Sequence, residues 1–328
     1  MLKKNVLIVG LGSAGARHVK NLKSLGIKNI YTTINKKRKR RFNLKKIIYL
    51  KNIDYIINNH KIDFAIISNP TSEHLKFSIK LAKKNIDLFI EKPISNNLRL
   101  IHNFKKIVKK NKIKVAIGCQ LRFHPALVKI KEIINKKLLG KPLSVYADVG
   151  EYLPNWHPYE DYRKSYVAKQ KLGGGVILTL IHEIDYLYWL FGKFKSVFAI
   201  GGQHTSLKID TEDNICCLLK GNNDLPILLR MDLWRRNKTR CLNIVLEHGQ
   251  IDLNLINGEL NILNFIKKTK VKTKFLVSNL QKENMKHFLN SINFRQTKEV
   301  TSLQDAEYVL KIALNLKDSL KQKHSIKV

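Results

Sequence analysis

From Asn5 to about Gly118 the chain alternates short, almost continuously apolar runs with longer segments whose apolar residues recur every three or four positions. The runs Asn5–Val9, Asn29–Thr33, Phe64–Ile67, Asp87–Ile90 and 114–118 are rich in β-branched residues, which predicts strands covered on both faces. Between them, 18–25, 72–85 and 97–111 have helical spacing, as in Leu75, Ile79 and Ala82. Strand, helix, strand repeated in this way predicts a doubly wound parallel sheet. After Pro125 the pattern lengthens and alternates, over 144–149, 215–219, 227–234 and 242–247, with a turn at Gly221-Asn222-Asn223-Asp224. That pattern suits a mostly antiparallel open sheet with one exposed face. The predicted fold is therefore α/β, a Rossmann-type unit over 1–122 followed by an α+β unit over 123–328. The helical stretch 303–320 is expected to pack back, on the first domain in one arrangement. The segment 155–175 is polar, aromatic and glycine-ended, and a long loop inside a compact domain tends to carry function.

Composition narrows the class. A length of 328 residues fits two domains, and a 44% apolar fraction argues against disorder. Lys plus Arg number 61 against 25 Asp plus Glu, a net charge of +36. Such a field attracts polyanions, but the lysines are spread along the whole chain beside Asn and Ile, so a solvated surface is expected, with neither nucleic acid nor membrane as partner. Cys119, Cys216, Cys217 and Cys241 show no metal or C-x-x-C spacing, so no metal is expected and the interior is read as reduced and cytoplasmic. The apolar run Val6–Val9 is too short for a secretion signal, and no uncharged stretch is long enough to span a bilayer. A soluble protein is expected.

Gly10-Leu11-Gly12-Ser13-Ala14-Gly15 is a G-x-G-x-x-G sequence placed between a predicted strand and a predicted helix, with another strand near Ile30. Such a context predicts dinucleotide binding: Gly10 for the tight turn, Gly12 for close approach to a pyrophosphate, Gly15 for helix–strand packing, and the helix N-terminus for the anion. An acid about 20 residues on would bind the ribose hydroxyl of NAD. None is present, since the first acidic residue is Asp54. The second strand instead runs into Asn35 and the basic tract Lys36-Lys37-Arg38-Lys39-Arg40-Arg41. Charge-assisted bonds from Asn35 and Arg38 would suit a 2′-phosphate, so NADP is favoured, with NAD the alternative. A solvated basic turn or a nucleic-acid tract are the other readings of this run.

Glu91-Lys92-Pro93 follows directly on a predicted strand, at the carboxyl edge where open α/β sheets bind ligands. With the glycine turn, Asn69-Pro70 and His74, and Gly173-Gly174-Gly175 leading into His182-Glu183-Ile184-Asp185, the sequence resembles the glucose-fructose oxidoreductase and inositol dehydrogenase (Gfo/Idh/MocA) family over nearly its whole length. The resemblance implies that Asn69, Pro70, His74, Glu91 and Lys92 lie around the cofactor with Gly10, Gly12, Ser13, Ala14 and Gly15. It also implies that Lys92 and His182 act on a sugar or polyol hydroxyl, that Lys92–Pro93 is cis, and that the second domain binds substrate and forms a homodimer or homotetramer through its open sheet face. The chemistry is consistent: oxidising an alcohol needs a base for its proton, and His titrates near neutrality. One feature departs from the family. An Asp usually precedes the His by three or four residues, and here Leu178 and Thr179 stand there. Asp185, one helical turn beyond His182, is a candidate substitute.

The loop Tyr152-Leu153-Pro154-Asn155-Trp156-His157-Pro158-Tyr159 and the run Asp161-Tyr162-Arg163-Lys164-Ser165-Tyr166 combine rings that can stack on sugars with an arginine that can fork onto carboxylate or phosphate. This stretch resembles a family subgroup of nonulosonate and surface-polysaccharide pathways. Trp156, Tyr162, Arg163, Tyr166, Arg122 and Asp185 are accordingly candidates for contacting a sugar, amino sugar or sugar nucleotide; Trp234, Arg235 and Arg236 are weaker ones. The expected activity is an NAD(P)-dependent sugar dehydrogenase or reductase. The alternative is a non-catalytic dinucleotide-binding sensor or subunit.

Overall fold

The computed structural model describes residues 4–33, 44–277, 279–295 and 297–328. Its contacts divide the chain into two compact units, Met1–Gln120 with Gln281–Glu307, and Leu121–Leu280 with Tyr308–Val328.

In the first unit β1 (Asn5–Val9), β2 (Asn29–Thr33), β3 (Ile48–Leu50), β4 (Phe64–Ile67), β5 (Asp87–Ile90) and β6 (Val115–Ile117) form one sheet in the order β3-β2-β1-β4-β5-β6. Every pairing is parallel. Because β1 and β4 lead away in opposite directions, their carboxyl ends leave the crevice in which such sheets take ligands. The apolar runs form the strands because helices cover both faces: Val6, Ile8, Phe64 and Ile66 are fully buried. Each such side chain contributes roughly 1.5–3 kcal/mol by leaving water. On one face Ala16, Val19 and Leu22 of the helix Ser13–Ser24 close this core. So do Met285, Phe288, Leu289 and Ile292 of the helix Leu280–Asn293. Phe288 meets Phe64 and Phe89 edge-on at 5.4 and 5.7 Å, and Arg295 forks onto the buried Asp87. Residues 281–307, which the sequence pattern places after the boundary at 122, thus complete the first unit.

The glycine turn starts its helix earlier than periodicity suggests. Gly12 is extended, with φ −78° and ψ −166°, and the helix begins at Ser13 rather than His18. Likewise 72–85 resolves into a short turn, Thr71–Glu73, and the helix His74–Ala82.

The second unit holds β7 (Pro142–Gly150), β8 (Ser196–Gly202), β9 (Asn214–Lys220), β10 (Pro226–Asp232), β11 (Thr239–Leu246), β12 (Gly249–Asn254), β13 (Glu259–Asn264), β14 (Thr269–Lys274) and β15 (Ile326–Lys327). They form one sheet, ordered β14-β13-β12-β11-β7-β10-β9-β8-β15. Only β7 and β10 run parallel among its described pairs; the others are antiparallel. Alternation assigns the faces. Ile227, Leu229 and Met231 point into the core, while Leu228, Leu218 and Ile200 lie outside, 40%, 54% and 59% exposed. The helix His182–Phe191 buries Ile184, Leu187 and Leu190, and Ser319 of the helix Leu303–Gln322 accepts a hydrogen bond from Ala199 N at 3.0 Å. The segment 155–175 is tied down by three short turns, Tyr162–Lys164, Tyr166–Ala168 and Gln170–Leu172, with Val167 and Ala168 buried.

Candidate functional site

At the carboxyl edge of the parallel sheet the backbone is shaped for close approach. Gly10 leaves β1 with φ +94°, and a Cβ there would stand 2.5 Å from Asn69 N. A Cβ on Gly15 would lie 2.0 Å from Gly10 O, so no larger residue fits where helix and turn cross. The Ser68 hydroxyl donates to Gly10 O at 2.8 Å, pinning the turn to β4. No side chain caps the helix at Gly12, so the helix that Ser13 and Ala14 open has a positive N-terminus without a side-chain capping oxygen, an arrangement that suits an anion. Beside this turn the Asn69 side-chain amide is buried with neither its nitrogen nor its oxygen hydrogen-bonded. A buried amide without partners is costly, and a ligand amide or hydroxyl would satisfy it. These residues fit a dinucleotide.

Two histidines organise the neighbouring loops. His74 is 2% exposed, and its nitrogens face Pro93 O at 2.8 Å and Asn69 O at 2.9 Å. Burial pushes its pKa down, against the pull of the two carbonyls. Since both nitrogens face backbone carbonyls, His74 holds the Asn69-Pro70 turn to the cis Lys92–Pro93 turn. His18 reaches Glu91 at 2.7 Å from the helix that follows the glycine turn. Although burial works to raise the Glu91 pKa, the bond and charge of His18, with Arg17 and Lys92, hold it down to about 2. Glu91 is therefore an ionised strut that fixes the residue before Lys92. His18 went unnoticed in the sequence; its only signal is a position three residues after Gly15. Asn35, Arg38 and the basic tract 36–41 lie outside the described residues.

In the second unit the three glycines make room for a carboxylate. Gly175, at φ +97°, would place a Cβ 2.3 Å from Glu212 Oε1, and Gly174 would meet Val167 O at the same distance. Burial raises the Glu212 pKa, opposed by Lys317 at 3.3 Å. His182, 4% exposed, opens the helix His182–Phe191. Two ion pairs clamp the helix just beyond it. Arg240 of β11 forks onto Glu183, 0% exposed, at 2.7 and 3.3 Å. Burial opposes the Arg240 charge, yet Glu183 holds its pKa above the ordinary value. Arg122 forks onto Asp185 at 3.1 and 2.7 Å, with side chains 2% and 0% exposed.

Arg122 and Asp185, both candidates for substrate contact, neutralise each other away from water and hold the helix of His182. Leu178 and Thr179 are both buried, at 2%. Of the aromatic loop, Trp156 is half-buried, and Tyr166 lies in a turn whose neighbour Val167 is buried. Lys208 N–H donates to the Tyr162 hydroxyl at 3.3 Å, and Arg163 is an exposed residue paired to Asp161 at 2.8 Å. Among the described residues no group of three His, Cys, Asp or Glu could hold a metal ion, and no helix is long and apolar enough to cross a membrane.

A parallel sheet in this order, with a glycine turn on its first strand and a second unit built on an open sheet, defines the class of two-part, NAD-binding oxidoreductase folds. Within that class the family is definite. Residues 4–119 match the model of the oxidoreductase family with an NAD-binding Rossmann fold. Residues 127–252 match the Gfo/Idh/MocA C-terminal domain. The chain belongs to the Gfo/Idh/MocA family. Myo-inositol 2-dehydrogenase of Thermotoga maritima is 26% identical over 211 residues, covering 62% of this chain and 59% of that one. Inositol 2-dehydrogenase of Salmonella typhimurium is 25% identical over 178 residues, 54% of this chain and 49% of that one. The matched stretch thus spans about half the length of these curated relatives. Among solved structures, UDP-N-acetylglucosamine 3-dehydrogenase GnnA of Acidithiobacillus ferrooxidans superposes with TM-score 0.80 at 18% identity, covering 98% of this chain and 99% of that one. Aldose-aldose oxidoreductase of Caulobacter crescentus gives 0.84 at 16%, covering 99% and 100%. At these identities the likeness is one of fold.

Proposed function

We propose that this chain is an NAD(P)-dependent dehydrogenase or reductase acting on a hydroxyl or keto carbon of a sugar, amino sugar or sugar nucleotide, in surface-polysaccharide or nonulosonate metabolism in the cytoplasm. The observation that carries the reading is the carboxyl edge of the parallel sheet, where the glycine turn, the unpartnered Asn69 amide and Glu91-Lys92-Pro93 adjoin. Gly10, Gly12, Ser13, Ala14, Gly15 and Asn69 hold the dinucleotide. When bound, its nicotinamide supplies the hydride donor or acceptor. Lys92 polarises the substrate oxygen as an ammonium donor, and His182 takes or returns the hydroxyl proton. NADP is preferred, because no acidic residue precedes Asp54 to bind an unphosphorylated ribose. Titration of NADPH and NADH at one salt concentration tests this; tighter NADH binding reverses the preference. The outer sheet face, with Leu228, Leu218 and Ile200 exposed, serves self-association into a dimer or tetramer, checked by light scattering.

Lys92→Ala and His182→Ala, assayed by reduced-cofactor absorbance on a sugar and sugar-nucleotide panel, should each lose activity by about 10²–10⁴-fold. Unaltered turnover in either would remove that residue from the acid–base assignment. A second reading, a non-catalytic dinucleotide-binding subunit, is favoured by one observation, Leu178 and Thr179 where the family carries its Asp. It predicts cofactor binding without turnover on any member of that panel.

A further inference from the structure

Where β7 and β10 end side by side, the loop 233–238 is held unusually firmly. Asp232 accepts from Trp234 N at 3.1 Å and Arg235 N at 2.8 Å, and Leu153 N donates to Leu233 O at 3.0 Å. The cations of this loop are neutralised, with one exception. Arg235 bridges Asp148 and Asp232, both at 2.6 Å, and Lys238 pairs with Glu151 at 3.0 Å. Arg236 is exposed and has no carboxylate within ion-pair reach among the described residues. Its guanidinium carbon instead lies 3.6 Å above the centre of the Tyr152 ring and 5.0 Å from that of Trp234. The two rings meet edge to face at 5.4 Å.

A guanidinium resting on a ring is immobilised through its face, which leaves the in-plane N–H donors on its edges able to fork onto a planar or tetrahedral anion. Ordering it in advance removes much of the entropy that a free arginine side chain would lose on binding. The loop also lies on the sheet edge that carries the clamp of the His182 helix: Thr239 pairs in register with Gly150, and the next residue, Arg240, grips Glu183.

We propose that Arg236, stacked on Tyr152 beside Trp234, is a receptor for an anionic group of the substrate, the carboxylate of an acidic sugar or the diphosphate of a sugar nucleotide. This deepens, and rests on, the reading of the chain as a sugar oxidoreductase. It makes anionic sugars the preferred substrates over neutral aldoses and polyols.

Calorimetric titration of the full chain with glucose, glucuronate and UDP-N-acetylglucosamine at one ionic strength tests it. Either glucuronate or the UDP-sugar should bind at least about 10-fold more tightly than glucose, and which of them does so identifies carboxylate or diphosphate as the group held. In Arg236→Met that preference should fall by about 10- to 100-fold, and Arg236→Lys, which keeps the charge without the fork, should restore only part of it. If neither anionic probe outbinds glucose, or Arg236→Met keeps the preference at an unchanged melting temperature, the proposal is wrong. Absence of cofactor turnover with every probe, alongside Arg236-dependent binding, would instead count against the oxidoreductase reading alone.

Discussion

Replacing Asp185 by Asn tests whether the His182 helix is anchored electrostatically. The carboxylate is fully buried and accepts two bonds from Arg122, whose side chain is 2% exposed. The amide keeps the shape but leaves the guanidinium charged and buried, with one acceptor oxygen in place of two and an NH2 donor where the second oxygen stood. Removing one partner of such a pair costs about 3–5 kcal/mol. With a urea slope near 3 kcal/mol/M, at the upper end of the usual range for small proteins, the midpoint should fall by roughly 1–1.7 M. Intrinsic fluorescence reads the relevant part of the molecule, since Trp156, Trp189 and Trp234 all belong to the second unit. The companion double variant Arg122→Met with Asp185→Leu removes both charges at similar volume, and should recover most of the loss because no charge is stranded. A cost below about 1 kcal/mol for Asp185→Asn would show that water or another group solvates Arg122 and that the pair is no anchor.

Gly15→Ala puts a methyl 2.0 Å from Gly10 O; the helix must shift off the turn, and NADPH affinity, followed by fluorescence titration, should drop at least about 10-fold. Undiminished binding would refute the close-packing role. Glu91 gives a pH signature. Its folded pKa, about 2, lies below the ordinary 4.5, so the stabilisation is present above pH 4.5 and is lost as pH falls through about 2, on the order of 3 kcal/mol in all. Thermal unfolding between pH 5 and 2 should therefore steepen in the native chain and flatten in Glu91→Gln; parallel curves would dissociate Glu91 from its partner His18.

The architecture was largely legible because it depends on local pattern. The runs Val6–Val9 and Phe64–Ile67 are apolar at consecutive positions, short and rich in β-branched residues, as strands buried on both faces are, and they fall in the strands Asn5–Val9 and Phe64–Ile67. The glycine turn was readable for the same reason: positive φ at Gly10 and the absence of room for a Cβ at Gly15 are demands on single residues. The short strands β3 and β15, the outer strands β12 to β14 and the helix Ile53–Asn59 carry too few or too polar residues to announce themselves.

The sequence by itself therefore determined the parallel sheet, the glycine turn and the family, the first two through residues within a few positions of one another and the family through several short motifs, each of them local. Tertiary structure alone decided which charges are spent on holding the protein together. Arg122 meets Asp185 across 63 positions and Arg240 meets Glu183 across 57, whereas Arg236 rests on Tyr152 with no acid in ion-pair reach among the described residues. Composition cannot distinguish these arginines, because whether a guanidinium is a strut or a receptor depends on whether folding brings a carboxylate to it, and that pairing is set by strand order and helix docking rather than by neighbours along the chain. The return of Gln281–Glu307 to the first unit has the same origin: Phe288 is one more apolar helical residue until the Phe64 and Phe89 edges are in place to receive it.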